Sequence, residues 1–308
     1  MQRRGGFVTE ASVSVWTAPP VRVFHYKGAK QMNTEQPRDS RLPMSGHLGQ
    51  ITAMSLVIAV LMAAASVSGL AYRSTLYPTE ELLQSSVPTD VVNLLFGLPM
   101  LLGSMWLARR GKLIGLLLWP GALFFVLYTY TVYVLAVPLN AAFLLHLTLV
   151  TLSMYTISAL AATIDGEAVR QRIAGAVPER LAGGILAALG LLFFLRALAA
   201  LVGAVSSRTP MAETDLALNV ADYMVAPALV IGGLLLWQRK AFGYVAGLGL
   251  LFQASMLFIG LIVLLILQPF LAAAEFALID VVVVFVLGLI CFIPFALFAR
   301  GVVSASHS

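Results

Sequence analysis

Charged side chains are scarce in this chain, where they make up only 11% of the 308 residues. Soluble globular proteins carry about 25% charged and about 45–50% apolar residues. Here the hydrophobic share is 60% and the mean hydropathy is +0.94. The scarcity of charge therefore excludes a single soluble domain. The composition predicts an all-α fold, specifically a polytopic membrane helix bundle.

Cysteine is almost absent, since Cys291 is the only one and lies in an apolar run. A disulfide or a cysteine metal site within one chain is therefore excluded. The sequence also lacks the His-Glu-x-x-His, Gly-x-Ser-x-Gly, phosphate-loop and Cys-x-x-Cys motifs, and it has no paired histidines for haem or quinone chemistry. We therefore expect no catalytic residues, no metal and no cofactor. These absences favour a role other than that of an enzyme.

The first fifty residues have no apolar stretch of seven or more and contain many basic residues, prolines and glycines. A secretory signal needs an apolar region of about 7–15 residues, so we expect no cleaved signal. Residues 1–50 are predicted to form a disordered cytoplasmic tail. A second interpretation stays open, because Lys27 to Met32 can be encoded by a ribosome-binding sequence followed by a start codon. Native translation would then begin at Met32, which N-terminal mass spectrometry can test.

Eight apolar runs are long enough to cross about 30 Å of hydrocarbon as helices. They lie near residues 51–72, 91–108, 113–137, 140–163, 181–205, 219–238, 243–267 and 278–299. The stretches 73–90 and 206–218 combine proline with Ser, Thr and acidic residues, which predicts loops. The sequence therefore predicts eight transmembrane helices.

Lysine and arginine are unevenly distributed between the two sides of the predicted bundle. Sixteen of the nineteen lie in the two terminal segments and in the turns on the same side, whereas two lie in the opposite loops. The positive-inside rule therefore predicts that both termini are cytoplasmic. Because these basic residues flank apolar runs and form no single patch, we expect no nucleic-acid partner.

The two halves of the chain are similar when Pro99 is aligned with Pro227, which also aligns Gly115 with Gly243. This similarity predicts a duplication of four helices, whose halves share one orientation and are related by an axis along the membrane normal. The alternative is a chance similarity between apolar segments. The predicted organisation is a tail at 1–50, repeats at 51–163 and 181–300, a cytoplasmic linker at 164–180 and a cytoplasmic tail at 301–308.

Ionisable and hydrogen-bonding residues are concentrated in the predicted outer half of the bilayer. Ionisable residues within spans are costly and are therefore candidates for function. We expect an outward-facing polar pocket between the two halves, with a ligand bound by Arg196, Asp222, Asp90, Tyr130, Tyr133 and His146. In this hypothesis the arginine pairs with an anionic group, the aspartates lie at the mouth, and the other three form hydrogen-bonding walls.

Each of these residues also has a structural interpretation. Arg196 can form an ion pair with Asp280 or Asp222, because an unpaired charge in hydrocarbon costs at least about 2.5–3.5 kcal/mol. The two tyrosines can belong to an aromatic belt at the membrane interface. His146 can form a hydrogen bond between helices.

Several segments of the chain form a set that can be compared with a known family. They are Asp90-Val-Val-Asn-Leu-Leu-Phe-Gly-Leu-Pro99, Trp106-Leu-Ala-Arg-Arg-Gly111, Tyr128-x-Tyr130-x-x-Tyr133, Asn140-x-x-Phe143-Leu-Leu, Leu218-Asn-Val-Ala-Asp222 and Pro227-Ala-Leu-Val-Ile-Gly-Gly-x-Leu-Leu-Trp237. The set resembles a family of bacterial and archaeal multi-pass membrane proteins of unknown function, over about residues 51–300. The resemblance implies a prokaryotic inner membrane and no particular activity. Some of those proteins have Asn where this chain has Thr129, so no shared chemistry follows for the tyrosines.

The sequence favours a transporter-like or ligand-sensing membrane protein whose partners are membrane lipids and a small-molecule or anionic ligand. Two alternatives stay open. A membrane-embedded enzyme acting on a lipid-linked substrate would need an acid-base residue such as His146 or Asp222. A structural or assembly subunit of a membrane complex would need no pocket residue at all.

Overall fold

The computed structural model describes residues 42–44, 48–208, 210–272 and 276–306. Over these residues the chain forms helices and no β-strand. Eight of the helices are long and apolar enough to cross a membrane. They are α1 (Leu48–Ala71), α2 (Glu80–Arg109), α3 (Leu113–Ala136), α4 (Phe143–Thr163), α5 (Glu179–Ser207), α6 (Glu213–Trp237), α7 (Ala241–Ala272) and α8 (Leu278–Ala305). The prediction of an all-α bundle with eight spans is confirmed.

The predicted terminal tails are mostly replaced by helix wherever the structure describes them. α1 begins at Leu48, inside the predicted N-terminal tail, and α8 continues to Ala305, inside the predicted C-terminal tail. Leu48 packs against the core at the start of α1, and Val302 is buried near the end of α8. The structure also describes residues 42–44 of the N-terminal tail, where the Pro43 carbonyl accepts a hydrogen bond from the Asp165 amide at 2.9 Å. Residues 1–41 and 45–47, including the alternative start at Met32, lie outside the described residues.

The two ends of the bundle differ in charge. The basic end is the one with the turns at 110–112 and 238–240. The acidic end is the opposite one, where α2 and α6 begin and carry in their first turns Glu80, Glu81, Glu213 and Asp215. Carboxylates stabilise a helix N-terminus because they interact favourably with its dipole.

The start of α2 differs from the prediction of a loop over 73–90. Residues 73–76 form a short helix, and α2 itself begins at Glu80. The Thr79 hydroxyl caps it by accepting a hydrogen bond from the Leu82 amide at 3.2 Å. The helix then continues through Pro88, which is buried, and contains a π-bulge at Asn93–Gly97. The capped first turn and its two acidic residues therefore stabilise a helix in this segment, although the proline predicted a loop.

Two other predicted connections also contain helix. α6 begins at Glu213, so the predicted loop over 206–218 is wrong from that residue onward. The predicted linker at 164–180 contains a short helix, Gly166–Ile173. Its N-cap is Asp165, whose carboxylate accepts hydrogen bonds from the amides of residues 167 and 168 at 3.0 Å each.

α3 lies at the centre of the bundle. It is the most buried of the eight spans and contacts α2, α4, α6 and α7. At its contact with α7, a Cβ atom built on Gly121 would overlap the backbone of Gly249, and one built on Gly249 would lie 2.8 Å from the Gly121 nitrogen. The two backbones therefore touch, and neither position has room for a side chain.

The two turns at the basic end have matching backbone geometry. The Gly111 amide donates to the Ala108 carbonyl at 2.9 Å, and the Arg239 amide donates to the Leu236 carbonyl at 2.9 Å. The residue with positive φ is Gly111 in the first turn (75°) and Arg239 in the second (58°). The offset that aligns Pro99 with Pro227 also aligns these two residues. The turns are therefore alike in backbone conformation as well as in charge.

Candidate functional site

A cavity of about 270 Å³ lies at the acidic end, among α2, α3, α6 and α7. Its polar wall consists of Ser85, Ser86, Thr89, Tyr128, Thr129, Tyr133, Thr214 and Asp215, and its apolar wall of Val132, Ala136, Val137, Leu218 and Leu264. Asp215 is exposed, whereas Tyr128 is buried eight residues before the end of α3. At 1.5 Å per residue, the cavity reaches about 12 Å into the bundle.

On one side of the cavity, Tyr128 connects α3 to α6. Its hydroxyl donates to Asp222 Oδ1 at 2.8 Å, and Arg196 on α5 donates to Asp222 Oδ2 at 2.5 Å. The Asp222 side chain is 8% exposed and the Arg196 side chain 49%. The carboxylate therefore has one neutral and one cationic donor, and the charge of Arg196 is paired.

On the other side, Tyr133 connects α3 to α2. Its hydroxyl lies 3.0 Å from both the Ser86 carbonyl and Asp90 Oδ1, while the Tyr77 hydroxyl donates to Asp90 Oδ2 at 2.7 Å. Burial and the Asp90 carboxylate raise the pKa of Tyr77, so its hydroxyl stays protonated and donates. Gly69 leaves the room for this pair, since a Cβ atom there would overlap both side chains.

A buried polar layer lies next to Tyr133, outside the cavity lining. The ring of His146 is centred 5.0 Å from that of Tyr133 and 5.5 Å from that of Tyr130. The Tyr130 hydroxyl lies 3.3 Å from Ser66 Oγ, to which Asn93 donates at 3.1 Å. Among the described residues His146 Nδ1 has no hydrogen-bond partner. This layer joins α1, α2, α3 and α4 inside the first half.

The cavity lining presents hydrogen-bond acceptors. Ser85 and Thr89 each donate their hydroxyl hydrogen to the carbonyl four residues earlier, at 3.0 and 2.8 Å. Tyr128 donates its hydrogen to Asp222, and Tyr133 donates its hydrogen to Asp90 or to the Ser86 carbonyl, which are equally distant. These four oxygens keep lone pairs for a ligand but have no hydrogen left to give, whereas the other three hydroxyls of the lining, on Ser86, Thr129 and Thr214, can donate or accept. Among the described residues of the lining none is Lys, Arg or His, and Asp215 supplies the charge.

The structure places the six predicted ligand-binding residues differently from the prediction. Tyr133 lines the cavity, while Tyr130 and His146 pack near it. Asp90 and Asp222 were predicted at the mouth, but they are 1% and 7% exposed. The reason is that α2 and α6 begin further out than predicted, which places both aspartates more than two helical turns inside.

The structural interpretations also have clear outcomes. Arg196 forms an ion pair with Asp222, and Asp280 is exposed at the start of α8. Arg196 therefore lies outside the cavity lining, paired with its own carboxylate. The aromatic-belt interpretation is wrong, because Tyr130 and Tyr133 are 0% and 4% exposed inside the bundle. Belt residues would lie at the lipid interface.

Sequence reasoning missed three residues of this site. Tyr77 was placed in a loop, and no local pattern shows that its hydroxyl reaches Asp90. Asp215 was also assigned to a loop, although an acidic pair in a first turn is a helix-start signal. Ser66, inside α1, is an ordinary small residue of an apolar span, so nothing near it in sequence indicates its contacts.

The function cannot be read from a metal site among the described residues or from a similar protein of known function. The described residues contain no group of three or more His, Cys, Asp or Glu side chains that could hold a metal ion. No protein-family model, no curated protein and no solved structure matches the chain. The resemblance to bacterial and archaeal membrane proteins therefore stays a prediction. Function is inferred from the cavity.

Proposed function

We propose that this integral membrane protein binds a small polar solute in the cavity at its acidic end, as a transporter or a ligand sensor does. The observation that carries the proposal is a cavity reaching about 12 Å into the bundle, whose surface is mostly apolar but whose lining includes seven hydroxyl-bearing side chains and Asp215. Polar groups inside a membrane protein face its interior and mark solute pathways. The volume of about 270 Å³ equals that of about nine water molecules, which suits a small solute.

The proposal includes the duplication of four helices, which places the cavity between two halves. Gly121 and Gly249 are equivalent residues in the alignment of Pro99 with Pro227, and they touch each other. In an arrangement with twofold symmetry, a residue on the axis meets its own equivalent. The matching turns around Gly111 and Arg239 add independent support. Solute sites between structural repeats are common in transporters.

The proposal also includes an orientation. The distribution of lysine and arginine favours cytoplasmic termini, and thus a cavity that opens to the outside of the cell at the acidic end. We further propose the prokaryotic inner membrane, which is what the family resemblance implies. A solute would then enter the cavity from the outer side past Asp215.

Arg196 has a different part in this proposal from the one predicted for it. Its ion pair with Asp222 holds α5 to α6, and Tyr128 connects the same carboxylate to α3. An anionic ligand would have to displace that carboxylate. We therefore assign solute binding to the cavity lining and give Arg196 a supporting structural role.

A thermal-shift screen of purified protein against metabolites and ions tests the proposal, because a ligand that binds the native state raises the unfolding midpoint. The cavity is blocked by Ser85→Phe. The matched control is Ser158→Phe, an exposed serine on α4 that likewise donates to the carbonyl four residues earlier. We expect a ligand whose shift disappears in Ser85→Phe and persists in Ser158→Phe. A ligand that shifts both variants equally would place binding elsewhere and contradict the proposal.

A further inference from the structure

We infer that the cavity selects a small organic ammonium ion. This inference rests on the proposed solute-binding function and specifies the chemistry of the solute. Three properties of the lining support it: its charge, the polarity of its hydrogen-bonding groups and the aromatic walls.

The charge of the cavity is negative. Asp215 stands exposed in the lining, and the described lining residues include no Lys, Arg or His. Asp222, behind Tyr128, is neutralised by its ion pair with Arg196, so the exposed Asp215 supplies the charge of the lining. The local field therefore attracts a cation and repels an anion.

The hydrogen-bonding groups are complementary to a donor. The hydroxyl hydrogens of Ser85, Thr89 and both tyrosines are already given to protein acceptors. An ammonium group has three donors and no acceptor, whereas a carboxylate has acceptors only. Four of the seven hydroxyl oxygens in the lining can thus accept from an ammonium group and Asp215 adds a charged acceptor, whereas the described lining residues offer a carboxylate no cationic donor.

The aromatic walls favour the same class of ligand. Tyr128 and Tyr133 both line the cavity, and cations are attracted to the faces of aromatic rings. The Tyr128 hydroxyl donates to a carboxylate, which makes its ring more electron-rich. The apolar wall, which includes Val132 and Leu264, can cover a short alkyl chain. A small alkylamine combines the matching cationic and apolar parts.

Cysteine protection tests the inference with three probes of similar length and different charge: 4-amino-1-butanol, butane-1,4-diol and 4-hydroxybutyrate. Thr129→Cys places a thiol in the cavity wall, and the native Cys291 is buried, so background labelling is low. The labelling rate with a methanethiosulfonate reagent is measured in detergent at constant ionic strength, with each probe in turn. We expect the amine to slow labelling of the thiol, and the diol and the anion to leave the rate unchanged.

A pair of charge variants identifies the carboxylate involved. In the Thr129→Cys background, Asp215→Asn should weaken protection by the amine about fivefold, the effect of losing one exposed charge pair. Asp280→Asn, which removes an exposed carboxylate outside the lining, should leave protection unchanged. Equal effects of the two variants would overturn the role of Asp215 and with it the ammonium assignment.

The remaining outcomes separate this inference from the proposed function. Protection by the diol or the anion in place of the amine would overturn the ammonium assignment and leave solute binding intact. Labelling that no probe slows would also overturn the assignment. A thiol at position 129 that does not react at all would contradict both, because the cavity would then be closed to solutes.

Discussion

Tyr128 on α3 donates its hydroxyl hydrogen to Asp222 on α6 at 2.8 Å, across 94 residues of sequence. The bond connects the central helix of the first half to a helix of the second half, and Arg196 extends it to α5. Tyr133, on the same helix, makes the corresponding bond to Asp90 within its own half. α3 is thus held between two acidic helices, and the cavity lies among them.

Removal of the Tyr128 hydroxyl should destabilise the protein. Tyr128→Phe leaves Asp222 buried with one donor fewer, which should lower the free energy of unfolding by about 1–3 kcal/mol. Thermal unfolding in detergent measures the loss. The control is Tyr155→Phe on α4, where the side chain is exposed and should tolerate the change. Equal midpoints for the two variants would show that the bond contributes nothing.

The ion pair between Arg196 and Asp222 should show coupling in a double-mutant cycle. Arg196→Gln leaves a buried carboxylate without a cationic partner, and Asp222→Asn leaves a cation unpaired within a span. Each variant should lower the unfolding midpoint, and the double variant should lose less than the sum. Because the arginine is half exposed, we expect a coupling of about 1 kcal/mol. Additive losses would mean that the two residues act independently.

The contact between α3 and α7 should tolerate no side chain. Gly249→Ala would place a Cβ atom 2.8 Å from the Gly121 nitrogen, and overpacking of this kind costs about 1–3 kcal/mol. Gly260 lies on the same helix with open space around it, so Gly260→Ala should be neutral or should stabilise the helix by up to about 1 kcal/mol. Unfolding midpoints and folded yields compare the two variants directly. A Gly249→Ala protein as stable as Gly260→Ala would refute the close approach.

Substitutions at the equivalent positions of the two matching turns should change the free energy of unfolding in opposite directions. Arg239 has φ 58°, which is costly for a residue with a side chain, so Arg239→Gly should raise the free energy of unfolding by about 1 kcal/mol. Gly111 has φ 75° and open space around it, so Gly111→Ala should lower it by about the same amount through backbone strain alone. Effects of the same sign would contradict the equivalence of the two turns.

The sequence was sufficient for the number and approximate position of the spans. A bilayer requires about twenty apolar residues for each helix, and this requirement is visible in composition alone. The boundaries at the acidic end were predicted less well, because Pro88 and the polar residues around it indicated a loop. The segment is helical instead, because Thr79 caps the helix and Pro88 is buried within it. Burial depends on neighbours that are distant in sequence, so the local pattern did not reveal it.

The site was predictable in its residue types and not in its arrangement. Aspartate and tyrosine near the outer ends of spans suggested a polar pocket. The sequence did not indicate which side chains form hydrogen bonds with each other. In the structure Asp222 bonds to Tyr128, and Asp90 bonds to Tyr77 and Tyr133. Such pairs depend on the rotation of each helix about its axis. Packing between helices sets that rotation, and for helices that are apolar all round the sequence contains little information about it.

The most direct test of the cavity is labelling of Thr129→Cys in intact cells with a thiol reagent that does not cross membranes. Position 129 is 4% exposed and lines the cavity, while Thr156 is buried in α4 outside it. We predict that the thiol of Thr129→Cys reacts from the outside of the cell, and that Thr156→Cys and the native Cys291 do not. Labelling of Thr129→Cys from neither side, or from the cytoplasmic side alone, would contradict an outward-facing solute cavity.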